Sequence, residues 1–204
     1  MTHPSIPKKC WPQLPNSRNK ALQESISCGP GDGAVAFRIE KSQSPARRVE
    51  ELMTTNLAQH FRAELDDIHA AIIALPPQIA DTPWREGGWT RKQIVGHLLD
   101  SATNNRQRFV RASAGGAYVG PQYAQDAWVA AHGYAGQPWQ TLLLWWEVEH
   151  EILASVVDNI SGERLETSCT VGDDAPVTLR FLIEDYIRHQ RWHLAQLTAP
   201  VAAS

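Results

Sequence analysis

The sequence predicts an all-α protein, a four-helix bundle with one long crossover connection, preceded by a disordered N-terminal arm. Three observations carry that expectation. From Thr54 onward, apolar residues recur every three or four positions in four long segments. Stretches containing Gly and Pro separate those segments, and no two stretches alternate as paired strands do. The chain has 204 residues, enough for one domain with a core of its own and an appendage.

The elements follow in order. Residues 1–52 read as a poorly ordered arm and 53–204 as the folded domain. The first 50 residues hold six of the thirteen prolines and four of the five lysines, with little sustained period. "VAFRIE" (Val35–Glu40) is the one strand-like fragment there, and nothing nearby is suited to pair with it. The only methionines are Met1 and Met53, and a helical pattern starts directly after the second, so translation from Met53 is an alternative start. Leu57, Phe61, Leu65, Ile68 and Ile72 form the stripe of the first helix, which Pro76-Pro77 closes.

Thr90, with Gln93 three residues on, is a capping box opening the second helix. That helix extends to about Ser113 with Ile94, Val95, Leu98, Leu99, Ala102 and Phe109 as its apolar face. A long connection, Gly115–Gly136, contains a short helical candidate around Asp126–Ala131. Pro138 suits the first turn of the third helix. Thr178 caps the fourth, whose inward stripe is Leu182, Tyr186, His189, His193 and Leu197.

Charge and composition exclude several classes of function. Residues 1–50 hold eight Lys or Arg and four Asp or Glu, whereas the remainder holds eleven and eighteen. An acidic folded part argues against nucleic-acid binding, which needs a basic face. Apolar runs such as Ala70–Leu75 and Leu142–Trp146 are too short to span a bilayer. No apolar stretch follows Lys8 and Lys9 as it would in a secretory signal. Cys10, Cys28 and Cys169 have no close spacing, hence neither a disulfide framework nor a thiolate zinc site is expected. A cytoplasmic location is the default expectation.

The chemistry rests on histidines. His189 and His193 stand four residues apart in the seam of the fourth helix, so their imidazoles can converge on one divalent cation. The spacing alone serves equally well for two rings hydrogen-bonded within the bundle. A further ligand must come from a facing helix, and His97 is the best candidate. Asp100, Ser101 and Asn104 continue its line, forming a polar stripe beside an aliphatic face. The competing reading puts that stripe at a solvent edge. His60, His69, His132 and His150 lie off the apolar faces or in polar stretches and are expected to be solvated.

"GGWTRKQIVGHLLDSATNNRQRFVRA" and "PVTLRFLIEDYIRHQRWHLAQL" together resemble the DinB-like (YfiT-like) superfamily of four-helix-bundle metalloenzymes, over roughly Leu57 to Leu197. The resemblance implies one metal held by His97, His189 and His193; three imidazoles suit zinc, nickel, iron or copper, and a divalent zinc or nickel is the leading expectation. Many members carry two adjacent histidines at the first site. Here Gly96 precedes His97, and Trp192 stands where some relatives have a further histidine.

Three imidazoles with an open coordination position suit a catalytic ion, which acidifies water or a thiol. Asp100 and Asp185 are then candidate bases or orienting groups, the alternative being salt bridges to Arg106 and Arg188. Asn104, Trp89, Tyr186 and Trp192 are candidates for contacting substrate. The resemblance favours transfer of a low-molecular-weight thiol to a small electrophilic substrate, since characterised relatives include thiol-dependent transferases. Metal-dependent hydrolysis is the alternative. A helical binding or homodimerisation module presenting Trp139, Trp145 and Trp146 is the non-catalytic one.

Overall fold

The computed structural model describes residues 45–201, with side chains from residue 54 onward except at position 55. The fragment Val35–Glu40 and most of the expected arm lie outside the described residues. Helix α1 runs from Pro45 to Ile73, so the division expected between residues 52 and 53 falls inside a helix. Proline at the first helical position sacrifices no hydrogen bond. The Ala, Arg, Glu and Leu content that follows favours helix even where the apolar period is weak. A start at Met53 would remove the first eight residues of α1.

Helices α2 (Arg91–Ser113), α4 (Trp139–Asp158) and α6 (Leu179–Leu197) complete the bundle. The short helices α3 (Gln125–His132) and α5 (Gly162–Leu165) lie in the connections. The caps are those expected. Thr90 Oγ1 accepts from the Gln93 amide at 3.3 Å while Gln93 Oε1 accepts from the Thr90 amide at 2.9 Å. Thr178 Oγ1 accepts from the Phe181 amide at 3.1 Å. Pro138 is the cap residue of α4 and precedes its first turn.

The first two long helices, α1 and α2, are adjacent in sequence but not in space. α1 packs chiefly on α4 and α6, and α2 packs on the same two. α1 and α2 are therefore diagonal, and α2 and α6 are neighbours. The packed side chains explain the arrangement: Ile68, Ile72, Ile94, Leu98, Leu99, Leu142, Leu153, Leu179 and Ile183 are all fully buried. Burying one such side chain contributes about 1.5–3 kcal/mol. In α2 every residue from Ile94 to Ala102 is buried, because α3 and the turn at Tyr134–Gly136 cover the face that α4 and α6 leave open. The polar line through His97 is thus interior and not a solvent edge.

Arg91 is fully buried without a carboxylate partner. Its guanidinium donates to the carbonyls of Thr82 (3.1 Å), Pro83 (2.6 Å) and Ala199 (2.7 Å) and to Thr82 Oγ1 (2.9 Å). This clamp joins the loop before α2 to the carbonyl end of α6, where a cation also opposes the helix dipole.

The absence of strand pairing expected from the sequence is corrected by a small sheet. β1 (Tyr118–Gly120) pairs in parallel with β2 (Ser168–Val171), which pairs antiparallel with β3 (Val177–Thr178). Strands of two to four residues are too short to display a period of two. No described helix is long and apolar enough to cross a membrane.

Candidate metal centre

The neighbouring helices α2 and α6 bring His97, His189 and His193 together. One ligand atom from each lies within 4.8 Å of the others, and His97 Nε2 is 3.1 Å from His189 Nε2. The positions differ from a simple inward stripe. α6 buries Ile183, Tyr186, Ile187, Gln190 and His193, while His189 sits half-buried at the edge of that face, turned towards α2.

Two of the remaining ring nitrogens are held from behind. His193 Nδ1 lies 3.1 Å from Gln196 Oε1, which fixes the tautomer with Nε2 free. His189 Nδ1 lies 3.4 Å from Ser101 Oγ. His97 Nδ1 and Asp100 Oδ2 are buried with no hydrogen-bond partner among the described residues. Burial, aided by His193 and His189, holds the His97 ring down to about 3. Burial and then His189 hold His193 at about 4. His189 is lowered by burial, against an opposing pull from Asp185. Three neutral imidazoles with inward nitrogens and outer acceptors form a donor set that fits a divalent transition ion.

Asp100 lies beside the centre and not in it. Its Oδ1 accepts from Tyr134 Oη at 2.6 Å and faces His132 Nδ1 at 3.1 Å. Burial raises its carboxyl, and the Tyr134 and His132 contacts act in the opposite direction. The expected alternative partner, Arg106, is bound to Glu149 at 2.9 Å. Gly96 explains the neighbourhood: a Cβ there would stand 2.1 Å from the Tyr134 ring. That ring occupies the space beside His97.

Asp185 does pair with Arg188, at 3.0 Å, as the structural alternative had it. Asn104 turns away and donates to the Asp100 carbonyl at 2.8 Å. Trp89 packs against His97 with centroids 5.0 Å apart. Trp192 lies 4.5 Å from His193 and is 61% exposed. Tyr186 is buried, its hydroxyl 2.7 Å from His150 Nε2. The expectation of a solvated His150 is therefore corrected: Trp146 covers its ring and the Trp146 carbonyl takes Nδ1 at 2.7 Å. His132 is 43% exposed at its side chain but faces Asp100.

A cavity of about 310 Å³ opens beside the centre, with His189, Ser101, Asn105, Arg108, Tyr123 and Asp185 on its walls. A larger groove of about 780 Å³ between α1 and α6 includes none of the three histidines. Sequence reasoning missed Tyr123, Asn105 and Arg108. The Tyr123 ring stacks 6.4 Å from His97. Burial and the Asp100 charge push its hydroxyl up to about 12, with Ser101 and Arg108 acting oppositely.

The family model described as the DinB superfamily matches residues 40–197. The chain belongs to the DinB superfamily. Curated relatives from Bacillus cereus and Bacillus anthracis bear the name "Putative metal-dependent hydrolase". Each is 28% identical over 153 residues, covering 75% of this chain and 88% of the relative. Among solved structures, YfiT from Bacillus subtilis aligns with a TM-score of 0.61 at 21% identity, over 79% of this chain and 90% of that one. YfiT is described as "a probable metal-dependent hydrolase with an unusual four-helix bundle topology". The likeness to YfiT establishes the shared bundle of this DinB superfamily member.

Proposed function

We propose that this DinB superfamily protein is a metal-dependent hydrolase acting on a small molecule, with His97, His189 and His193 holding one divalent ion. One observation carries the proposal: three neutral imidazoles from two helices converge within 4.8 Å, and one of them, His189, lines a polar cavity. A bound ion would supply a Lewis acid and acidify water at that wall.

The protein's own groups do the rest. Gln196 and Ser101 keep the His193 and His189 rings oriented through Nδ1. Asp185, the one carboxylate among the cavity's lining residues, receives the proton at its carboxylate oxygens. Asp100 is a positioning residue acting through Tyr134 and His132. Trp89 and Trp192 exclude water from two sides of the histidine cluster. Zinc and nickel are the ions such a donor set suits.

Transfer of a low-molecular-weight thiol uses the same three ligands and differs only in the co-substrate. The relatives' name and the polar cavity support hydrolysis above it. Elemental analysis should find about one transition metal per chain, lost in His97→Ala and in His189→Ala. Ester hydrolysis by the zinc-loaded protein, measured with and without added thiol, separates the two chemistries. Turnover only in the presence of thiol would replace hydrolysis with transfer. Asp185→Asn should retain metal and lose about 100-fold or more in kcat.

A further inference from the structure

From the buried His97, α2 continues a single line of polar side chains, Ser101, Asn105 and Arg108, at steps of four, four and three, and these three line the cavity together with His189. Such spacing keeps them on one helix face, each about a turn, or 5.4 Å, above the last. Arg108 ends the line. Its guanidinium donates only to neutral oxygens, to Asn105 Oδ1 from Nη1 and to the Pro121 carbonyl from Nη2, both at 3.3 Å. Neither bond is short, and they engage only two of its five N–H groups.

The other arginines near the cavity are paired, Arg188 with Asp185 and Arg106 with Glu149. Asp185 is spoken for by Arg188, and Asp174 at the rim accepts from Gln122 at 3.1 Å. Arg108 is thus a cation without a carboxylate among the described residues, on the wall of a cavity that holds a metal-ligand candidate. Its two neutral contacts aim the fork and leave donors for an oxyanion, which guanidinium binds in bidentate fashion.

We propose that Arg108, steadied by Asn105 and the Pro121 carbonyl, is a specificity-determining residue that binds the carboxylate of a small anionic substrate while the substrate's reacting bond lies at the three-histidine end of the same cavity. The inference rests on the hydrolase reading for the reaction but not for the anion site. Two helical turns separate the levels of Asn105 and His97, roughly 11 Å along the axis. The favoured substrate accordingly carries its carboxylate several bonds away from the group that is cleaved. A cavity of about 310 Å³ is at the small end of ligand pockets and suits a small molecule.

The test uses the whole chain and two readouts. Succinate is titrated calorimetrically into wild type, Arg108→Gln and Arg108→Lys, each metal-free so that no ion competes for the carboxylate. Expected is saturable binding by wild type, weakened about tenfold to hundredfold in Arg108→Gln and partly recovered in Arg108→Lys. Succinate binding equal in wild type and Arg108→Gln overturns the proposal.

The zinc-loaded proteins are then assayed on the 4-nitrophenyl monoester of suberic acid, whose carboxylate stands several methylenes from the ester, and on 4-nitrophenyl octanoate. The wild-type preference in kcat/KM for the anionic ester should collapse towards that of the neutral one in Arg108→Gln, chiefly through KM. A preference unchanged by the substitution also overturns the anion site. No turnover of either ester, with succinate binding still lost in Arg108→Gln, removes hydrolysis and leaves the anion site standing.

Discussion

At Gly96 the absence of a side chain is a packing requirement. A methyl group placed there meets the Tyr134 ring at 2.1 Å, and that ring is also tied to Asp100 through a 2.6 Å bond. Gly96→Ala should destabilise the protein by about 1–3 kcal/mol in urea denaturation, the usual penalty of overpacking a core. The same substitution in a Tyr134→Ala background should lose much less, and strict additivity would show that the two positions do not meet. The pairing of His189 with His193 could be read along one helix, but the spacing alone left a hydrogen-bonded pair equally open, and it took the polar line through His97 and the family resemblance to join the three. Asn105 and Arg108 continue the His97 line at helical steps, so extending that stripe beyond Asn104 could have found them. Tyr123 had no signal, since it enters the site from the connection and not from a periodic segment.

Among the elements, the bundle helices were legible from period and caps, and the parts that depend on distant partners were not. The capping box at Thr90 could be read from two letters three positions apart. The diagonal placement of α1 and α2 could not, because it follows from which faces α4 and α6 cover. Arg91 shows the same division: in sequence it is a first-turn basic residue, and in the fold it is a buried clamp on Thr82, Pro83 and Ala199. Arg91→Ala should remove roughly 3 kcal/mol or more, because several buried carbonyls lose their donor together. Thr90→Ala, which opens only the cap, should cost about 1 kcal/mol. Comparable losses in the two variants would show that the clamp contributes no more than an ordinary cap.

For the molecule as a whole, buried neutral imidazoles set the acid limit of stability. His97 and His150 sit near 3 and His193 near 4, against 6.5 in an exposed ring. Between 6.5 and those values the unfolded chain binds more protons than the folded one, so stability is complete above 6.5 and falls as the pH drops. The urea midpoint of metal-free protein should therefore be lower at pH 5 than at pH 7.5, and an unchanged midpoint would contradict neutral burial of these rings. A saturating divalent ion should raise the midpoint, as any ligand specific to the folded state does. The parallel pair of β1 and β2 has a consequence for the order of assembly. It joins segments about fifty positions apart in the chain and walls the cavity with Val171, whereas the histidines reside wholly on helices. The histidine set needs a longer closure still, since His97 and His189 stand 92 positions apart in the chain, and the longer closure is the slower one. A nascent chain can therefore raise the strand wall before its three histidines meet, and pulse-labelled amides of Tyr118–Gly120 should be protected no later than the chain becomes able to bind a divalent ion.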